Sequence, residues 1–352
     1  MADPSPRRPA CPYDATVHAL LPRPAPADLE TLGVPAGLHF DCDAPARPGF
    51  RVELAVGRRI RVVSGAQVLL HARPGPAYRG VTLLRGAEAA PSPWPHLGPR
   101  DVAAVSRNAD PGDATAWLDA WARYIVRLLN APALRLAGPL HRGTWRVEPA
   151  ALLRPDAGAP PPGHRAVFAP DHDTTGFGLD AASPLSFESW WLNGSGALLP
   201  MRAASPAEAG RVKALRKLAR AGTLPPLVLL FVSGLDMYLL LDGHARLRAG
   251  LLEGRLPPAL ALSRVRYFPY APDPRRDTAL AGMERALDHA QGPATIERLN
   301  RSVLALFAEG DWRARTRGWP VPGGAGAWDA EVADRLRTLG LTGAPEAAGL
   351  LG

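Results

Sequence analysis

Five consecutive residues, Asp242-Gly243-His244-Ala245-Arg246, combine side chains suited to holding a phosphate and moving a proton beside it. They follow the apolar run Met237-Tyr238-Leu239-Leu240-Leu241 and precede a segment with helical composition, 245–253. A strand that turns sharply at Asp-Gly into a helix aims the first free N–H groups of that helix at one point. Those groups and the helix dipole favour an anion. Gly243 has no Cβ to keep a ligand at a distance. Arg246, in the first turn, adds a forked and permanently charged donor. His244 can donate, accept or transfer a proton near neutral pH. Gly243, His244 and Arg246 are therefore the candidate ligand-binding residues, and His244 and Asp242 the candidate catalytic ones. The same residues also fit a plain strand-to-helix turn. Asp242 would then accept helix N–H bonds, and His244 would be an ordinary, partly exposed first-turn residue.

The flanking sequence supplies what must position this turn. Ser205-Pro206 is a good helix start, and 207–221 reads as a helix with Val212, Leu215 and Leu218 on one side. Arg211, Lys213, Arg216, Lys217 and Arg220 cover its other sides, and Gly222 ends it. After Pro225-Pro226 comes the unbroken apolar run 227–232, the signature of a strand buried on both faces. Ser233-Gly234-Leu235-Asp236 reverses the chain into the strand that reaches Asp242. Gly254 closes the following helix, and 259–262 begins a further strand beyond Pro257-Pro258.

In this order of elements the chain resembles the ParB/sulfiredoxin superfamily. The match reads Leu218…Gly222-Thr223-Leu224-Pro225-Pro226, then Leu239-Leu240-Leu241-Asp242-Gly243-His244-Ala245-Arg246-Leu247, then Glu253-Gly254-Arg255-Leu256-Pro257-Pro258. It covers about a sixth of the chain. ParB proteins carry Gly-Glu-Arg-Arg at this turn and bind the phosphates of CTP there. Gly243 and Arg246 match, while His244 and Ala245 depart. Sulfiredoxins carry a reactive cysteine in a Gly-Cys-His-Arg turn; this chain has none nearby, which excludes that activity. The ParB-like free serine kinases carry Asp-Gly-His-Thr-Arg, from which only Ala245 departs; for their catalytic glutamate, Glu188 and Glu208 are the upstream candidates. No helix-turn-helix is evident after Arg264, so the resemblance does not extend to chromosome partitioning. The ligand expected is a nucleotide, CTP, ATP or ADP, or another phosphorylated small molecule; were the protein an enzyme, Mg²⁺ would be expected with Asp242 as a candidate ligand. Phosphoryl transfer and nucleotide hydrolysis are the reaction classes to expect.

The fold class expected is α+β: an N-terminal antiparallel β-rich region, a central ParB-like α/β unit and a helical C-terminal region. Residues 1–48 read as a Pro-rich arm, loose or an irregular edge of the first domain, and 49–160 as a β-rich domain with one amphipathic helix. Residues 161–270 read as the ParB-like unit (core 200–265), and 271–352 as the helical region, with the loop 155–162 as the boundary. Alternation at period two marks strands at 51–56, 59–63, 67–71 and 80–84, a small sheet with polar residues on one face. Asp113 caps a helix over 114–130, whose Trp117, Trp121, Tyr124, Ile125 and Leu128 form one apolar stripe for the core. Helices are expected at 278–291, 294–309 and 328–339, and a turn-rich loop at 319–326.

The formal charge is +8, carried by arginine apart from Lys213 and Lys217. GC-rich codon usage explains much of that, and no compact run of five basic residues occurs. Duplex DNA therefore stays only a secondary partner beside a protein partner, in the alternative reading of a non-catalytic interaction scaffold. Cys11 and Cys42 have no metal-like spacing, and the longest apolar stretch, 227–232, is far too short for a membrane span. A cytoplasmic protein with no membrane association is expected. Asp171-His172-Asp173 reads as a polar loop rather than a metal site, so no metal-ligating set is expected. Trp190 and Trp191 offer rings that could stack a base, with at least one of them assigned to the core.

Overall fold

The computed structural model describes residues 37–43, 45–76, 80–86, 94, 97–154, 164–169, 184–189, 196–202, 208–269, 276–289, 292, 295–296, 299 and 310–351. The expected arm up to residue 36, the loop 155–162, Asp171-His172-Asp173, Trp190 and Trp191 lie outside these. So does most of 294–309. The architecture is α+β, with antiparallel strands early in the chain, two sheets among the described residues, and helices towards its end.

The first sheet grows from the alternating strands. β2 (Phe50–Ala55), β3 (Arg59–Ser64), β4 (Gln67–Pro74) and β5 (Gly80–Arg85) form an antiparallel meander. Its edges are completed by β8 (Leu185–Ser189) and β14 (Gly318–Pro320), from distant parts of the chain. The second sheet runs β1 (Leu38–Cys42), β6 (Gly143–Leu153), β12 (Ala259–Pro269), β10 (Leu227–Val232), β11 (Met237–Asp242), β9 (Leu198–Pro200). β7 (Arg165–Phe168) pairs with β6, and β13 (Gly310–Ala314) with the far half of β12.

Helix α1 (Pro99–Ser106) precedes α2 (Ala114–Leu129) and α3 (Pro132–Ala137), and α6 (Arg276–Asp288) stands where a helix over 278–291 is expected. Asp113 caps α2 by accepting from the N–H groups of Thr115 and Ala116, both at 3.0 Å. Trp117, Trp121 and Ile125 are buried, as the stripe requires. They join one core with Phe50, Val62 and Leu70 of the first sheet and Val147, Leu230, Leu239 and Leu260 of the second. The second sheet is covered on its other face too, where Leu227, Leu229, Tyr238, Leu240 and Ala261 meet Leu247. Alternate residues of β10 thus enter different cores, which is why its sequence shows no polar position.

Three expectations are corrected. Residues 38–42 are not part of a loose arm: they pair with β6, from Leu38 opposite Val147 to Cys42 opposite Gly143. The loop 319–326 is in part structured, since Gly318–Pro320 runs parallel to β2 and helix α7 (Gly324–Thr338) starts inside the glycine run. The polar face of the first sheet is not a water-facing one. α7 and α8 (Pro345–Leu351) cover it, with Trp328 fully buried and its indole N–H donating to the Ile60 carbonyl at 3.1 Å. Glu53, Arg61 and His71 lie opposite one another across β2, β3 and β4, and α7 closes over them with Glu331. None of this is readable locally, because the covering helix lies about 270 residues along the chain.

Candidate functional site

α4 (Ala209–Ala221), β10, β11 and α5 (His244–Leu252) build the surroundings of the Asp-Gly-His turn. Gly222, at φ 71°, ends α4, and Thr223 N–H closes back on the Leu218 carbonyl at 3.0 Å. α4 packs on α5 through Val212 and Leu215 against Ala245 and Ala249. Glu253 then clamps the pair, taking ion pairs from Arg216 and Arg220. β10 and β11 are an antiparallel hairpin that brings Asp242 beside Val228.

The helix begins at His244, with Gly243 at its N-cap in the left-handed region, φ 111°. That φ favours glycine, and glycine has no side chain to cap the helix, so the first N–H groups of α5 have no side-chain acceptor from the cap position. The glycine also makes room, but not for a ligand. A Cβ there would stand 2.6 Å from Leu227 Cδ2 and 3.1 Å from Arg246 Nε and Nη2. The space that sequence reasoning reserved for a phosphate is filled by the arginine of the same turn.

All three functional side chains are buried rather than displayed: Asp242 and Arg246 are 4% exposed and His244 6%. An open cradle and a partly exposed histidine are both corrected by this geometry. Arg246 Nη2 donates to Asp242 Oδ2 as an ion pair four residues apart. Asp242 is thereby engaged as the counter-ion of Arg246, not turned out as a ligand for a cation. Two polar atoms are left over: Arg246 Nη1 and His244 Nε2 are buried with no hydrogen-bond partner among the described residues. Burial pushes the His244 imidazole down to about 3. Arg202 and Arg85 act in the same sense, against Asp242 and Glu208. Burial thus favours the neutral ring in the free protein, well away from the ordinary histidine range.

The turn faces a hollow lined by Arg202, Glu208, Arg211, Asp242, Gly243, His244 and Arg246. Counted out to solvent it encloses about 290 Å³, but its enclosed part has room for about one water molecule. A double hydrogen bond from Arg202 to Glu208, at 2.7 and 3.0 Å, lies on its rim. Of the two glutamates singled out from the sequence, Glu208 is in the site and Glu188 is on β8 of the other sheet. Arg202 was missed; it stands before the Ser-Pro helix start, in a stretch with no pattern to mark it. Among the described residues no group of three or more His, Cys, Asp or Glu side chains is placed to hold a metal ion. No helix among them is long and apolar enough to cross a membrane. No protein-family model matches the chain, and no curated protein or solved structure matches it either.

Proposed function

We propose that the hollow at the mouth of α5 receives the phosphoryl end of a small ligand, a nucleotide or another phosphorylated molecule, whose remainder stays outside. The observation that carries this reading is the pair of unpartnered buried atoms, Arg246 Nη1 and His244 Nε2, at an uncapped helix N-terminus. A buried polar group without a partner costs about 1–3 kcal/mol, and a donor fork beside a helix dipole is what an anion requires. Arg202, Arg211 and Arg246 outnumber Glu208 and Asp242 among the charged residues that line the hollow. The resemblance of this turn to the ParB-like proteins points the same way.

A phosphoryl group is larger than the enclosed space, so entry requires Arg202 to leave Glu208. Arg202 then pairs with the phosphate, and the Glu208 carboxylate that held it stands beside the ligand. In phosphoryl transfer or nucleotide hydrolysis, Glu208 would orient the attacking hydroxyl or water, while Arg246 and the helix N–H groups stabilise the transferred charge. His244, neutral, would hydrogen-bond a phosphate oxygen. Mg²⁺ accompanying a nucleotide would neutralise phosphate charge there, and Glu208 is the carboxylate of the hollow that would hold it.

A second reading, a non-catalytic interaction protein, is favoured by one observation: the space above Gly243 is already occupied. Thermal unfolding separates the two. Inorganic phosphate, CTP, ATP and ADP, each with and without Mg²⁺, are added to the full chain. A ligand at about 100 times its Kd contributes about 2.7 kcal/mol and raises the Tm. Arg246→Lys keeps a charge for Asp242 but removes the fork, so it is expected to fold and to lose most of the rise. No rise with any of the four, or a rise unchanged in the lysine variant, excludes the phosphoryl reading.

A further inference from the structure

β12 outruns the sheet it belongs to. Its first residues, 259–264, lie between β6 and β10, but 265–269 pair only with β13 among the described residues. The result is a two-stranded ribbon at the opposite end of β12 from the phosphoryl hollow. Residues two apart in a strand share a face. Arg264, Arg266 and Phe268 therefore lie on one side, with Arg313 directly opposite Arg266. The N–H of Arg315 donates to the Arg264 carbonyl at 2.8 Å, which carries the pairing one step further and sets these two arginines side by side.

Like charges directly opposite on paired strands repel, yet this ribbon stacks them. Arg266, Arg313, Arg315 and Arg317 are exposed and Arg264 is half-buried. Arg264, Arg266, Arg315 and Arg317 form no ion pair with a carboxylate among the described residues. This sets them apart from Arg51, Arg59 and Arg61 on the other sheet, each paired to an acid. The guanidinium of Arg264 is lowered below its ordinary range, first by burial and then by Arg266, Arg317 and Arg315. Aromatic rings alternate with the cations. Arg266 and Arg313 both lie over the Phe268 ring at 5.6 Å, and Arg317 lies over Trp319 at 5.1 Å. Phe268 and Trp319 are half-buried.

We infer that this ribbon is a docking surface for single-stranded nucleic acid. Guanidinium forks pair with phosphodiester oxygens, relieving the repulsion that the free ribbon carries. Successive arginines on one strand stand about 6.7 Å apart, and a flexible phosphate chain can follow that spacing. Rings interleaved with cations offer stacking to unpaired bases of any sequence, which a duplex with its bases stacked inward cannot use.

The test is fluorescence polarisation of a labelled 20-nucleotide oligothymidylate with the full chain across a salt series. Four exposed arginines on phosphates give a slope of log affinity against log salt of about −3, a loss of about 50-fold between about 50 and 200 mM salt. Glutamine at Arg266, Arg313, Arg315 and Arg317 together is expected to weaken binding at low salt at least about tenfold and to flatten the slope. Glutamine at Arg100, Arg107, Arg135 and Arg337, exposed arginines elsewhere, removes the same charge and is expected to change little. Circular dichroism checks that both variants are folded. Absence of binding at low salt, equal loss in both variants, a hairpin duplex bound as tightly as the single strand, or capture by phosphatidylserine vesicles in preference to the oligonucleotide each overturns the inference.

Discussion

Asp242→Ala is expected to destabilise the protein by about 3–5 kcal/mol, the cost of leaving a buried charge without its counter-ion. Asp242 and Arg246 are each 4% exposed and pair with each other inside the turn. Removing the carboxylate strands a guanidinium that cannot lose its proton and whose Nη1 already lacks a partner. Replacing both charges is a different matter. Asp242→Leu with Arg246→Met keeps apolar volume beside Leu227 and Leu247, and removes the desolvation cost of both ions. That double variant is expected to fall within about 1.5 kcal/mol of the parent, far less than the sum of its single changes. Urea unfolding at pH 7 measures Asp242→Ala, the double variant and its two single changes. A single variant costing under 1 kcal/mol would mean the turn is hydrated and the buried pair is not formed. The folded double variant also lacks the phosphate response, so loss of binding and loss of fold can be told apart.

Glu53→Ala is the second large change, again about 3–5 kcal/mol. Glu53 is fully buried on β2 and accepts from Arg61 at 2.7 Å, Arg51 at 2.6 Å and Arg47 at 2.9 Å. Arg61 continues to Glu331 of α7, and His71 reaches the same carboxylate at 3.2 Å. The network therefore fastens the C-terminal helix to the first sheet, and its loss should loosen α7 before the rest. Amide exchange in 324–338 is expected to quicken in the variant more than exchange in β10 and β11. A uniform change across both would contradict this.

The network also fixes a direction of pH dependence. Burial raises the Glu53 pKa, but the hydrogen bonds from Arg61, Arg51 and Arg47 outweigh it and hold it below the usual range. Glu331 is lowered too, its own desolvation overcome by Arg61 and His71. A carboxyl depressed in the folded state contributes stability above its unfolded pKa and loses it as pH falls. The buried histidines act in the same sense. His244 is lowered to about 3 and His141 to about 4, both by burial first. Below about pH 6.5 the unfolded chain takes up protons that these imidazoles refuse, at about 1.4 kcal/mol per pH unit for each. Stability is thus expected to hold from neutral pH down to about 6.5 and to decline towards pH 4.

Much of this architecture was legible in the sequence, for definite reasons. Strand 227–232 declared itself because both its faces are buried, and helix 114–129 because Asp113 and its aromatic stripe carry a cap and a period. Gly222 and Gly243 marked a helix end and a helix start because both sit at positive φ. Long-range pairing left no local sign. Leu38–Cys42, Leu185–Ser189 and Gly318–Pro320 are short edge strands defined only by their partners. The five residues of the candidate site were found by type and order, but not their burial. The run 242–246 reads as polar, and nothing in it discloses that Arg246 folds back over Gly243 onto Asp242. Nor was the arginine ribbon visible, since Arg264 and Arg266 are brought against Arg313 and Arg315 only by pairing across 47 positions.

The imidazole of His244 reports on the central claim directly, through its ¹⁵N resonances, assigned by their absence in His244→Gln. In the free protein they should stay those of a neutral ring from pH 8 down to about 4. With saturating inorganic phosphate or nucleotide, the Nε2 resonance should shift, and the ring should begin to protonate at higher pH, because an anion in the hollow favours the charged form. Resonances that are the same with and without every phosphorylated ligand, across that whole range, would contradict the assignment of the hollow as a phosphoryl site.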